Sequence, residues 1–370
     1  QNLRFFADHA RLSAADRLPM DSGHHAYTVH GPAGVVAAIA PWNFPLMLET
    51  WKVAPALAWG NTVVLKPAED SPATATMLAR LAIEAGLPPG VFNVVHGYGP
   101  ESAGQALTES AGIDRITFTG ASSTGRAIAR IAGGNLVPVS LELGGKGANV
   151  VFADADLDTA VDWSIRAIFT NAGQVCLAGS RLYVQREVYG EFLDRFVAAA
   201  EAMVIGDPSD PDTQLGPLAS RSHFEKVRRY VETVEAEGGR IRTGGLDSGW
   251  TVRPTVVTDM PQDAPHCREE IFGPLVVVTP FDTEAEAVAL ANDTPYGLNA
   301  MVFTENLSRA HRVSAALRAG TVWVNCFFIR DLRAPFGGVG ASGVGREGGD
   351  FSREFFTEPK AVVMQIDAED

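Results

Sequence analysis

Residues 61–97 read NTVVLKPAEDSPATATMLARLAIEAGLPPGVFNVVHG. NTVVLKP (61–67) is a short β-branched apolar run and reads as a buried strand. SPATATMLARLAIEAG (71–86) reads as a helix, with Ser71 to cap it, Pro72 in its first turn and Gly86 at its end. VFNVVHG (91–97) returns to a strand. The unit is strand–helix–strand, and it repeats downstream: a helix near 100–110, a strand in RITFTG (115–120), a helix in STGRAIARIAG (123–133). That alternation predicts a parallel sheet with helices on both faces. A second series follows Glu142, with strands in NVVFAD, RLYVQ, PLVVVTPF and TVWVN. A helix is expected around 221–236, where Val227, Tyr230, Val231 and Val234 form one apolar face. No linker rich in Gly and Ser and no low-complexity block separates the two series, so two packed α/β domains with a cleft are expected.

Composition narrows the function. A length of 370 residues suits two large domains. A net charge of −14 argues against nucleic acid and anionic membrane as partners. No apolar run approaches the ~18 residues a membrane span needs, and no secretory leader opens the chain. The chain starts at Gln1 rather than Met, so an N-terminal piece is expected to be absent. Cys176, Cys267 and Cys326 are scattered and odd in number, which fits a reducing, cytoplasmic compartment better than a disulfide framework. The histidines show no metal-site spacing, and His24-His25 reads as a solvated pair at a strand start.

Five stretches hold candidate chemistry, each with a plainer alternative. NAGQVCLAGSR (171–181) holds one cysteine, Cys176, with no second Cys and no His beside it, either a buried filler or a nucleophile. FTGASSTG (118–125) places Gly120 and Gly125 between strand and helix, either to present backbone N–H groups to a phosphate or as an ordinary turn. LKPAE (65–69) sets Lys66 and Glu69 beyond a strand end, where ligands sit in such sheets, though a solvated loop reads the same. LELGGK (141–146) flanks Glu142 with leucines, as suits a base of raised pKa or a salt bridge to a nearby Lys. APWNFPL (40–46) holds Asn43 between prolines, either a rigid oxyanion donor or a helix cap at a stiff corner.

Taken together, and in order, these stretches resemble the aldehyde dehydrogenase superfamily. The match runs over essentially the whole chain: PWNFPL, GNTVVLKPAE, FTG, LELGGK, GQVCLAGSR, EEIFGP (269–274), NDTPYGL (292–298) and PFGGVGASGVGREGG (335–349). The resemblance implies an aldehyde dehydrogenase-like α/β fold, with a Rossmann-type cofactor domain, an α/β catalytic domain and small oligomerisation strands. It implies an NAD-binding domain over 1–144 with a bridging strand at about 24–34, a catalytic domain over 145–348, and a C-terminal oligomerisation tail over 349–370. Family members carry roughly a hundred further residues ahead of the position matching Gln1, the size of a small domain. Either this chain is a fragment or that part lies outside this numbering. A homodimer or homotetramer is expected.

The resemblance also assigns roles. Cys176 attacks the aldehyde carbon, and no His is required because the attacking group is a thiolate and the leaving group a hydride. Asn43 and the Cys176 backbone N–H hold the oxyanion. Glu142 activates the water that hydrolyses the thioester, in two-step nucleophilic catalysis. The cofactor is NAD, placed by Ile39, Trp42, Lys66, Ala68, Glu69, Phe118, Gly120, Ala121, Thr124, Leu143, Gly144, Glu270 and Phe272. Glu69 favours NAD over NADP because a carboxylate repels a 2′-phosphate. Ala121 stands where the family commonly has Ser, which removes one phosphate hydroxyl. The presence of Glu142 speaks for hydrolysis over acyl transfer to coenzyme A. Retention of Asn43, Glu142 and Cys176 speaks against a non-catalytic relative, and the missing His partner against a cysteine hydrolase. No metal is implied. The substrate is a small-molecule aldehyde, lined by Phe44, Trp51, Arg330, Arg333 and Phe336. CFFIRDLRAPFGG (326–338) and PPGVFNVVHGYGPESAG (88–104) resemble the 2-hydroxymuconic and 2-aminomuconic semialdehyde dehydrogenases, whose substrates carry a remote carboxylate. A broad-specificity or betaine-type enzyme is the alternative. Arg330 suits that carboxylate, unless it pairs with Asp331 or another surface acid.

Overall fold

The computed structural model of the protein describes residues 1–13, 17–20 and 23–365. The chain divides into two compact units. One comprises residues 1–142, 331–336 and the chain from Gly345 on; the other comprises 143–330 and 337–344.

Five strands of the first unit are β1 (Val35–Ile39), β2 (Thr62–Lys66), β3 (Phe92–Val94), β4 (Arg115–Thr119) and β5 (Val139–Glu142). They run parallel in the order β3-β2-β1-β4-β5. Their order reverses at β1, so the crevice at the carboxyl ends of β1 and β4 is where such a sheet takes ligands. Val36, Ala38, Val63, Leu65 and Phe92 turn into one core with Val53 and Ala56 of the helix Pro45–Ala58. The helix Ala73–Glu84 lies where the sequence puts it, but Pro72, not Ser71, is its N-cap, and no side chain caps it. Proline fixes the backbone one residue later than a serine cap requires. Asn43 is likewise no helix cap: Phe44 occupies that position, without a capping side-chain bond. A long strand His24–Pro32 pairs antiparallel with Thr357–Gln365 over its whole length, Pro32 opposite Thr357 and His24 opposite Gln365. Residues 366–370 of the expected C-terminal tail lie outside the described residues.

The main sheet of the second unit has seven strands: β6 (Ala148–Val151), β7 (Arg181–Gln185), β8 (Arg240–Leu246), β9 (Val252–Thr258), β10 (Leu275–Phe281), β11 (Asn299–Phe303) and β12 (Thr321–Val324). They are ordered β8-β9-β10-β7-β6-β11-β12. All neighbours are parallel except β8 and β9. The exception follows from chain length: the loop 247–251 is too short for a parallel crossover. The helix Arg221–Thr233 and the residue after it turn Val227, Val231 and Val234 into a core with Val257, Cys267 and Val277, and Tyr230 packs at its margin. Cys267 is thus a core residue; Cys326 follows β12 and is half-buried, and no disulfide joins the three cysteines. Among the described residues no helix is long and apolar enough to cross a membrane, and no cluster of ligating side chains suits a metal.

The helix Pro45–Ala58 buries charge as well as apolar surface. Lys52 donates from Nζ to Glu347 Oε1 at 2.7 Å and to Thr117 Oγ1 at 3.1 Å, all of it inside the first unit. Removing one partner of a buried pair leaves the other uncompensated. Glu347→Ala is therefore expected to destabilise the protein by about 3–5 kcal/mol. The double variant Lys52→Met with Glu347→Leu is expected to recover most of that. Denaturant midpoints of the three proteins check it; equal losses in single and double variants would refute the pairing.

Candidate active site

In the first unit a cavity of about 590 Å³ opens at the carboxyl ends of β1, β2 and β4. Ile39, Trp42, Lys66, Ala68, Glu69, Phe118, Gly120 and Thr124 all line it, drawn together from three separate stretches of sequence. Its size is that of a small-molecule or cofactor site. Lys66 is buried; its Nζ donates to the Pro67 carbonyl at 2.9 Å and approaches Glu69 Oε2 at 3.4 Å. An ammonium and a carboxylate side by side offer donors and an acceptor to a ribose. Gly120 leaves no room for a side chain, since a Cβ there would lie 2.5 Å from the Phe118 ring. The first turn of the helix Ser122–Gly134 forms part of the wall through Ser123 and Thr124. A helix N-terminus presents unpaired N–H groups suited to a phosphate. These residues fit a dinucleotide. Ala121 is the N-cap of that helix rather than a wall residue. Sequence reasoning missed Ala127 and Ile131, although their spacing from Ser123 puts the three on one helical face.

Also in the first unit, Glu142 ends β5 and is buried. Its backbone carbonyl accepts from Gly120 N at 3.0 Å, so the side chain issues from a fixed strand end. Asn43 lies just ahead of the helix Pro45–Ala58, next to its N-cap Phe44. Trp51 and Phe336 meet in an apolar cluster with Phe6, Ala54 and Leu332, and Trp51 meets Phe6 edge-on at 6.1 Å. Arg333 is largely exposed and tied to Asp331 through two bonds, Nε to Oδ1 at 2.9 Å and Nη2 to Oδ2 at 2.6 Å. Asp331, the surface acid weighed as a partner for Arg330, is therefore engaged by Arg333. The same contact lowers the Asp331 carboxyl, to about 2.

In the second unit, Cys176 sits on a tight turn closed by Ala178 N donating to Val175 O at 3.0 Å. Asn171, Ala172 and Gly173, just before it, all have positive φ, at 52°, 53° and 72°. Such backbone persists only where its surroundings over-determine it. Gln174 supplies part of that: its Nε2 donates to Asn171 O at 2.9 Å and its Oε1 accepts from Ala219 N at 2.9 Å. The rest is close backbone packing. A Cβ on Gly145 would overlap the Cys176 carbonyl oxygen, and one on Gly144 the Glu270 carboxylate. The two glycines of LELGGK thus admit two different neighbours. Leu143 is buried and donates its N–H to Ser342 O at 2.9 Å.

Glu270 accepts from Gly145 N at 2.9 Å, and Lys226 Nζ donates to its backbone carbonyl at 2.9 Å. Burial raises its carboxyl above the ordinary range. Phe272 has φ +64°. Its carbonyl lies 2.7 Å from His223 Nε2. Burial holds that imidazole down at about 4, so it is neutral at pH 7 and Nε2–H donates to the carbonyl. Arg330 lies over the Phe328 ring at 5.8 Å. Phe328 in turn stacks on Phe327, which meets Trp323 edge-on.

Comparison with known proteins accords with this arrangement. Residues 1–362 match the pattern described as the aldehyde dehydrogenase family. The chain is 50% identical over 377 residues to a 2-hydroxymuconic semialdehyde dehydrogenase of Pseudomonas sp. (strain CF600), covering 99% of this chain and 78% of that protein. It is 50% identical over 380 residues to a 2-aminomuconic 6-semialdehyde dehydrogenase of Pseudomonas sp., covering 100% of this chain and 77% of that protein. Among solved structures, an NAD+ complex of aldehyde dehydrogenase from Bacillus cereus superposes with a TM-score of 0.96 at 42% identity, covering 99% of this chain and 75% of that one. A cysteine on a backbone-clamped turn, a glycine-lined dinucleotide cavity and this likeness over the whole chain have one reading: the protein belongs to the aldehyde dehydrogenase family and is an oxidoreductase.

Proposed function

We propose that the protein oxidises a carboxylated semialdehyde, of the 2-hydroxymuconic type, to the acid with NAD, through a covalent thioester on Cys176. The observation that carries the reading is the Cys176 turn. A half-buried thiol on a tightly bonded turn that follows a strained run, with the Cys176 carbonyl packed against Gly145, is held still. The thiolate adds to the aldehyde carbon and the oxygen becomes an oxyanion. Asn43 and the Cys176 backbone N–H donate to that oxygen. NAD supplies the acceptor for the hydride that leaves the carbon. Its binding falls to the cavity walls, with Lys66 and Glu69 on a ribose and the Ser122–Gly134 helix start on the pyrophosphate. Glu270 and Phe272 serve the nicotinamide end. Glu142 takes the proton from the water that cleaves the thioester, which frees the acid and restores Cys176.

Arg330 supports the anionic substrate. Its guanidinium lies over the Phe328 ring, and Phe328 stacks on Phe327, so an aromatic run orients it. Arg333 is left out of the grip because Asp331 already engages it. Three cysteines without a disulfide suit the cytoplasm. Self-association is assigned to the arm formed by His24–Pro32 and Thr357–Gln365, whose outer strand exposes Val363 and Met364 on an edge. Val363→Lys with Met364→Lys is expected to reduce the mass in solution to that of the monomer, read by sedimentation; an unchanged mass would remove the arm from the interface.

Glu142→Gln separates the chemical steps. The expected outcome is a burst of about one NADH per site followed by arrest, because deacylation requires a base and hydride loss does not. Steady turnover without a burst would assign the base elsewhere.

Arg330→Ala tests the substrate. Truncating one member of a desolvated charge pair costs about 2–5 kcal/mol. At about 1.4 kcal/mol per factor of ten, kcat/KM on a carboxylated semialdehyde is expected to fall at least about thirtyfold. An uncharged aldehyde of the same length is expected to be nearly unaffected. Equal losses on both substrates would make Arg330 structural.

A further inference from the structure

The turn that carries Cys176 is also held from behind, by residues with no role assigned so far. Asn299 opens β11 and is buried. Its Nδ2 donates to the carbonyl of Leu177, the residue after the nucleophile, at 3.0 Å. A carbonyl only accepts, so the amide orientation is set and Oδ1 must face away from that bond. Gly147 lies against the same amide, with space for a Cβ only 3.1 Å from Nδ2 and 3.2 Å from Oδ1.

Among the described residues, Asn299 Oδ1 has no hydrogen-bond partner, and neither has Nζ of Lys146, which is only 2% exposed. Both residues line one small cavity of about 10 Å³, roughly the room one water molecule needs. Arg181, also in the wall, is already committed. Its Nε and Nη2 bond the Lys146 carbonyl, Nη2 also bonds Ala291 O, and Nη1 bonds Leu290 O and the Tyr183 hydroxyl. The lining therefore holds one residue with an unmet amine and one with an unmet amide oxygen. An anion has nothing to give the oxygen, and a cation is repelled by Lys146 and Arg181. A water accepts from the amine and donates to the oxygen. Burial, with the Arg181 charge beside it, brings the Lys146 amine down to about 7, and water serves both of its protonation states.

We propose that one water bridges Lys146 Nζ to Asn299 Oδ1, and that Asn299, so oriented, is a positioning residue for the nucleophile through its bond to the Leu177 carbonyl. The positioning role rests on the reading of Cys176 as nucleophile. It adds a fixed point on the far side of Cys176 from the left-handed run 171–173.

The decisive variant is Asn299→Asp. It keeps the size of the side chain, loses the donor to Leu177 O and brings a carboxylate to Lys146. Its thermal midpoint is expected to match or exceed that of the wild type, with NAD affinity unchanged. The rate of Cys176 alkylation by iodoacetamide, read by peptide mass, is expected to change at least about threefold. The kcat is expected to fall about tenfold, which is about 1.4 kcal/mol. Wild-type values of both rates would overturn the proposal. Should Asn299→Asp fail to fold, Asn299→Ala is judged by the same two rates. A crystal structure of the wild type is expected to show the bridging water; a direct Lys146–Asn299 bond would overturn the bridge. Alkylation needs no aldehyde turnover. A wild-type protein that is alkylated but forms no NADH from any aldehyde therefore defeats the functional reading, while the alkylation ratio still judges Asn299.

Discussion

The carbonyl of Cys176 occupies the space that a Cβ on residue 145 would need, and only glycine leaves it free. Around that point the second unit is built main chain against main chain. A Cβ on Gly173 would overlap the Gly273 carbonyl, and one on Gly147 would lie 2.8 Å from the Ala178 carbonyl. Backbone has no rotamers, so a thiol positioned by such contacts moves little when neighbouring side chains change. A strained turn of this kind is tolerated because several neighbours fix it at once. Glu270, lodged against Gly144 and bonded to Gly145 N, ties the same strip of chain to the residues assigned to the cofactor.

Most of the scaffold was legible in the sequence because it rests on local signals. The strands at 62–66, 115–119 and 181–185 are short apolar runs bounded by turn residues, and the helix after β2 ends at Gly86 with φ +95°. The expectations that failed were also local, where two residues compete for one task. Ser71 yields the cap to Pro72, and Asn43 yields it to Phe44. Arg330 and Arg333 flank one aspartate at nearly equal distance along the chain, and only the folded segment shows that Asp331 bonds Arg333.

The assignment of the site rests on resemblance and only partly on physics. Gly144 and Gly145 look like a loop until the neighbours they admit are known. Lys52 and Glu347 are too far apart in sequence for any periodicity to pair them. Asn299 is one polar residue at the start of an apolar strand, and nothing in LNAMVF reports that its amide reaches Leu177. Each of these depends on tertiary approach, which a pattern of residue types does not encode.

The pairing of His24–Pro32 with Thr357–Gln365 sets an order on the birth of the molecule. The second unit is one nearly continuous stretch and is complete once residue 344 has been made. The first unit begins ahead of the second in the chain, yet its long antiparallel ladder waits for residues synthesised after the second unit. During translation the edge of His24–Pro32 therefore stands open while the second unit is made, at synthesis rates of about 5–20 residues per second for roughly ten to forty seconds. Closing so large a loop adds only a logarithmic entropic cost, so the delay is one of time rather than stability. An open strand edge in a growing chain is a surface for chaperones, or for the same arm of a neighbouring nascent chain.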